Sequence, residues 1–185
     1  MTGRKLLRTV RLDPSDTFVF ARAAEPGEWA VTGSFLFVDA DTEAFAGKER
    51  TAFRSGFVGV RSLGFSTLAA VSEASDAEFE AAASDLATHL ETSLGAPSRA
   101  AALDAAREEL AVSASLCGPE VNTVIAMRRT VVDGELREQF RTLQPREPTL
   151  GGDRLHAGMR AFQFVEVEGE AEERVDLAAL VETPR

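Results

Sequence analysis

Over the first seventy residues apolar and polar positions alternate in short runs closed by turn-forming residues, which predicts a meander of β-strands. Residues 5–12 run into Asp13-Pro14-Ser15-Asp16, and residues 17–22 run towards Glu25-Pro26-Gly27-Glu28. Proline fixes φ and removes an amide donor, while Gly, Asp and Ser accept the angles of a tight turn, so both clusters interrupt a strand. Trp29, Val31, Phe35 and Phe37 then recur at period two against Thr32 and Ser34, as in a half-buried strand, with Gly33 a candidate bulge. Phe45, Glu49 and Phe53 fall at i, i+4 and i+8 and suggest a short helix over residues 42–54, weakened by Gly47. Residues 57–63 and 65–72, rich in Val, Phe and Thr, return to strand character on either side of Gly64.

From Ser75 the period becomes helical. Ser75-Asp76-Ala77-Glu78 is a capping box, in which the serine hydroxyl accepts from the Glu78 amide and the Glu78 carboxylate accepts from the cap amide. Phe79, Ala83, Leu86, Leu90 and Leu94 follow on one helical face until Gly95 and Pro97 stop it. Ser98 caps a second helix with Leu103, Ala106, Leu110 and Cys117 along its seam and Gly118-Pro119 at its end, giving an αα-hairpin. Residues 123–132 and 135–143 flank Asp133-Gly134, a strong β-hairpin signal because a type I′ turn needs positive φ at both central positions. Pairing outward from Val132/Glu135 sets Val131/Leu136, Arg129/Glu138, Met127/Phe140 and Ile125/Thr142 on one face. The other face carries Thr130/Arg137, Arg128/Gln139 and Ala126/Arg141. Residues 144–153 read as a linker, residues 160–168 as a last strand and residues 172–181 as a short terminal helix.

Together these elements predict an α+β fold: an antiparallel sheet built from the N-terminal meander and the later hairpin, with the αα-hairpin packed on one face. The expected organisation is an α+β core domain over residues 1–146, then a linker and C-terminal strand and helix over 147–185 packed on the same domain.

Composition narrows the function classes. Hydrophobic residues make up 44% of the chain and mean hydropathy is −0.08, compatible with a buried core in a soluble protein. Twelve Phe and no Tyr assign aromatic mass to packing. A net charge of −10 repels a phosphate backbone and argues against nucleic acid as a partner. No apolar run approaches the ~20 residues that span a bilayer, and the N-terminus lacks the hydrophobic stretch of a signal peptide. One cysteine cannot form an internal disulfide, so a cytoplasmic location without a membrane partner is expected.

Candidate chemistry is sparse: two histidines and one cysteine in 185 residues. His89 follows Asp85 at i+4, a spacing that suits metal ligation or an exposed side-chain pair, but no further ligands complete a site. His156 lies near Gly residues in an expected loop, without an identifiable partner. Cys117 sits on an apolar seam at a helix C-terminus, where the dipole disfavours a thiolate. Gly64-Phe65-Ser66-Thr67-Leu68 lacks the second glycine of a nucleophile elbow, and Gly56-Phe57-Val58-Gly59 matches no phosphate-binding loop. No catalytic residue, metal or cofactor is indicated. The best candidate site is an arginine face on the hairpin, Arg128, Arg137 and Arg141 with Thr130 and Gln139, because guanidinium groups in fixed array clamp carboxylates or phosphates bidentately. The competing expectation is that these arginines meet the chain's own acids: six carboxylates lie between Glu73 and Glu91 with no Lys or Arg among them.

The run Lys5-Leu6-Leu7-Arg8-Thr9-Val10-Arg11-Leu12-Asp13-Pro14-Ser15-Asp16-Thr17-Phe18-Val19-Phe20, followed by Glu25-Pro26-Gly27-Glu28-Trp29-Ala30-Val31, resembles an uncharacterised family of alphaproteobacterial proteins, a domain of unknown function. Phe53-Arg54-Ser55-Gly56-Phe57, Gly64-Phe65-Ser66-Thr67-Leu68, Ser115-Leu116-Cys117 and Glu138-Gln139-Phe140-Arg141-Thr142-Leu143 extend the likeness over most of the chain. The resemblance supplies no catalytic residues and implies an accessory role, in the setting of redox-enzyme maturation. The first functional expectation is therefore a non-catalytic binding or accessory protein that docks a protein partner or acidic ligand through the arginine face or an edge strand. The alternative is a small enzyme that uses carboxylates and arginines on an acidic small molecule. A homo-oligomer joined by sheet edges is a third expectation.

Overall fold

The meander and the hairpin join in one sheet. The computed structural model describes residues 3–145 and 164–166. Its strands are β1 (Arg4–Val10), β2 (Trp29–Val31), β3 (Phe57–Gly59), β4 (Phe65–Ser66), β5 (Leu68–Ala74), β6 (Val124–Val132), β7 (Glu135–Pro145) and β8 (Phe164–Glu166). They pair in the order β4-β3-β2-β1-β5-β6-β7-β8, every pairing antiparallel. The helices are α1 (Gly47–Ser55), α2 (Asp76–Ser93) and α3 (Arg99–Ser115). This is the expected α+β architecture, with α2 and α3 as the αα-hairpin on one face.

Alternation along the strands feeds two cores. Leu6, Trp29, Val31, Val58 and Val60 pack with Phe79, Ala83, Leu86, Leu90, Ala106 and Leu110 of the αα-hairpin. Leu7, Ala30, Phe57, Ala69, Val71, Ile125 and Met127 form a separate cluster, joined by Cys117 and partly by Leu116 and Phe140. The sheet curls around this second cluster. Four strands lie between β3 and β7, which would hold them about 24 Å apart in a flat sheet at ~4.8 Å per strand. The Phe57 and Phe140 rings nevertheless lie 6.5 Å apart.

Local chemistry explains most element boundaries. Both halves of the Ser75–Glu78 capping box are present, and Ser98 accepts from the Ala101 amide. Asp133 and Gly134 have φ of +54° and +79°, and every hairpin pair falls in the predicted register. Three residues of the expected last strand, Phe164–Glu166, pair with the end of β7. The expected linker beyond Pro145, the helix over 172–181 and His156 lie outside the described residues.

The N-terminal third departs from the expected pattern at several points, among them the strand expected over 57–63, which ends at Gly59. Instead of a strand over 17–22, Asp13 caps a 3-10 turn over Pro14–Phe18, with Pro at its start and the Asp16 carboxylate accepting from the cap amide. What looks like a strand-breaking turn is thus a capping box. The strand expected to carry Trp29 through Phe37 stops at Val31. Gly33 takes φ +81°, and a side chain there would meet Val58 Cγ2 at 2.2 Å; a 3-10 turn over Ser34–Phe37 follows. That turn aims Phe37 into an aromatic group with Phe45, Phe53 and Phe65, at centroid distances of 5.3–6.1 Å. The short helix begins at Gly47 rather than residue 42, leaving Phe45 in the preceding loop.

Candidate functional site

The hairpin register places Arg128 opposite Gln139, Thr130 opposite Arg137 and Ala126 opposite Arg141, so the five predicted residues share one face. Arg128, Arg137 and Gln139 are exposed; Thr130 and Arg141 are half-buried. The acidic helix does not neutralise the exposed pair. Its carboxylates turn elsewhere: Asp76 to Arg4 at 3.1 Å, Glu78 to Arg8 at 3.5 Å, Glu80 to Arg107 at 2.7 Å and Glu91 to Arg99 at 3.8 Å. Among the described residues no carboxylate forms an ion pair with Arg128 or Arg137.

On the opposite face of the same hairpin lies a further arginine, Arg129, which does not belong to the expected arginine face. Arg129 is fully buried and ion-paired with Glu138, the residue opposite it, at 2.9 Å. Its Nη1 donates to the Phe53 carbonyl and its Nη2 to the Thr32 carbonyl, each at 2.6 Å. Nε donates to Glu138 at 3.0 Å and to Ser34 Oγ at 3.2 Å, while the Ser34 hydroxyl itself donates to Glu138. The Phe37 ring lies 5.0 Å from the guanidinium carbon, completing the enclosure. Burial pushes the Arg129 pKa down and Glu138 opposes the shift. All three guanidinium nitrogens find partners within the chain, so Arg129 fastens β6 to α1 and to the segment after β2.

Half-buried Glu109, on α3, feels this group electrostatically. Desolvation raises its pKa most, then repulsion from Glu138 and Glu108; Arg129 works in the opposite sense. A second buried carboxylate, Glu28, accepts from the amides of Glu25, Arg61 and Ser62 and from the Ser62 hydroxyl. Gly59 packs closely beside it: a β-carbon there would lie 2.3 Å from the carboxylate, which would have to shift. Glu28 carries no sequence signature, because its partners are mainly backbone amides about thirty residues away.

Cys117 and His89 occupy structural positions. Burial pushes the Cys117 thiol up to about 11, which leaves it a poor nucleophile. His89 Nε2 lies 2.8 Å from the Arg61 carbonyl, an anchor between α2 and the turn after β3. Among the described residues no group of three His, Cys, Asp or Glu side chains is placed to hold a metal ion. One concavity among the described residues, of about 10 Å³, lies beside Thr9, Arg11 and Phe20, and a shallow groove of about 450 Å³ lies between Leu36 and Leu90. Neither touches the arginine face. No described helix is long and apolar enough to cross a membrane.

The family described as "Family of unknown function (DUF6505)" matches residues 3–161. The chain belongs to this family. The match covers the meander, the αα-hairpin and the β6–β7 hairpin with its arginine face, so each is part of the DUF6505 domain. No curated protein and no solved structure matches the chain.

Proposed function

We propose that this DUF6505 protein is a non-catalytic binding or accessory protein that holds an acidic protein segment on the arginine face of β6–β7. The observation that carries the reading is the pair of exposed guanidinium groups, Arg128 and Arg137, set by strand register and left without a carboxylate among the described residues. Guanidinium groups on a regular strand keep their spacing, so they favour an extended acidic segment with matched spacing over a compact ion. Neither of the two concavities described above adjoins these residues, and a protein segment needs no enclosed pocket as a small molecule does. The family resemblance adds a setting for this accessory role, redox-enzyme maturation. The test is affinity capture from a native lysate with full-length protein and with Arg128→Ala/Arg137→Ala/Arg141→Ala. Retention of an acidic partner by the parent and its loss from the variant supports the reading; equal retention overturns it.

The alternative, a small enzyme acting on an acidic molecule, draws on Glu109, a half-buried carboxyl with a raised pKa near Arg129. Such a carboxyl suits general-acid work. The Arg129 guanidinium is already committed to carbonyls and to Glu138, which leaves little to hold substrate. Turnover of acidic metabolites that disappears in Glu109→Gln would favour this reading over the first.

A further inference from the structure

Gly33 redirects the chain after β2, and the 3-10 turn that follows sets apolar side chains beside the C-terminal end of α2. Phe35 and Leu36 line one side of the shallow groove of about 450 Å³, Leu90 and Leu94 line the other, and Asp39 and Ala40 complete it. Phe35, Leu36 and Leu90 also pack on the first core, so the floor of the groove is continuous with that core. Val38, between the lining residues Leu36 and Asp39 in sequence, is 73% exposed, and Leu94 is 43% exposed. Single apolar residues scattered over a surface are ordinary, but these two accompany one apolar groove.

Charge selects what would enter it. Asp39 is the charged side chain among the lining residues, and exposed Asp41 follows it in the chain. The last turn of α2 holds no Lys or Arg, so the negative pole of the helix is not offset from within the turn. Arg99, which approaches α2, is turned to Glu91, Ser84 and Thr88. An apolar floor thus meets a negative rim, opposite in sign to the arginine face. Both walls are helical and bond their backbone groups internally, so the groove offers no strand ladder to extend. A segment entering it must satisfy its own backbone, as a helix does, and bind through side chains.

We propose that the groove between the Ser34–Phe37 turn and the end of α2 docks the apolar face of an amphipathic helix of another protein, with Lys or Arg flanking that face. This docking is independent of the arginine face on β6–β7.

Fluorescence anisotropy of the full-length protein tests it, with a fluorescein-labelled peptide of leucine and lysine in amphipathic helical period and with its leucine/glutamate counterpart. The lysine peptide should bind and the glutamate peptide should not. Val38→Ser/Leu94→Ser changes only exposed side chains and leaves the net charge as it is, and it should weaken binding about tenfold. Asp39→Asn should weaken binding and flatten its salt dependence, while Val112→Ser, at an exposed valine of α3 outside the groove, should bind as the parent does. Equal binding by the parent and Val38→Ser/Leu94→Ser overturns the proposal, since it would assign the attraction to the net charge of −10 at large. Equal binding of the two peptides, or binding of neither, overturns it as well. Self-association of the parent that Val38→Ser/Leu94→Ser abolishes, without peptide binding, would assign the groove to a second copy instead. Resistance of Leu94→Cys to iodoacetamide in the full-length chain would show the groove filled from within and equally overturn the docking.

Discussion

Arg129 draws four parts of the chain together at one guanidinium: β6, which carries it, the Phe53 carbonyl of α1, the Thr32 carbonyl after β2, and Glu138 on β7. Replacing it with Met keeps apolar bulk but strands two carbonyls and leaves Glu138 uncompensated. Breaking a buried pair from one side costs about 3–5 kcal/mol, so Arg129→Met should lower the urea midpoint by that equivalent. Arg129→Lys should recover little, since one ammonium cannot reach carbonyls on two sides. A loss below about 1 kcal/mol in either variant would show that the cluster is not a fastening. Glu109 gives a second, pH-resolved prediction. Its pKa is raised on folding, so the native state holds the proton to higher pH than the unfolded chain. The stability it contributes is full below the unfolded carboxyl value and is lost as pH rises through the native value. Glu109→Gln should therefore be more stable than the parent at pH 7, with the gap narrowing towards pH 4 in paired urea titrations. A gap independent of pH would mean that the charge on Glu109 is not felt.

Among the elements, the β6–β7 hairpin rests on the most local determinants, and it is also the element read most completely from sequence. Two adjacent left-handed residues decide the turn, the turn decides the register, and the register decides which arginines share a face. Gly134→Ala should accordingly cost about 1–2 kcal/mol in chemical denaturation, because φ is +79° there and a side chain gains no contact in return. An unchanged midpoint would mean that the tip of the hairpin does not contribute to stability. The capped αα-hairpin was legible for the same reason: its stop and start signals lie within a few residues of the helix ends. Phe35 and Phe37 keep a period-two spacing yet lie in a 3-10 turn, because the interactions that decide their positions are distant in sequence. The Phe37 ring packs on Phe53 and Phe65, and Gly33 fits closely against Val58. Arg129 was visible opposite Glu138 in the predicted register, yet its role depends on carbonyls, which every residue has and no side-chain pattern announces.

At the scale of the molecule, the curl of the sheet separates a fastened face from a displayed one. The αα-hairpin covers the face of Leu6, Trp29 and Val31, while the other face closes on itself around Phe57, Ile125 and Met127. Beyond the helices, the first face continues across β6–β7 as the arginine array, held by a hairpin whose reverse side is anchored through Arg129. The Arg129 anchor lies on the reverse side of this display and ties it to α1 and to the segment after β2. If the curl closes as the 6.5 Å contact between Phe57 and Phe140 requires, these two residues are energetically coupled although four strands separate them in the sheet. A double-mutant cycle of Phe57→Leu and Phe140→Leu should then give a coupling of about 0.5–1.5 kcal/mol, the range for aromatic pairs in contact. Strict additivity would indicate an open sheet, in which β6–β7 could swing independently of the core and its arginines would lose their fixed position over it.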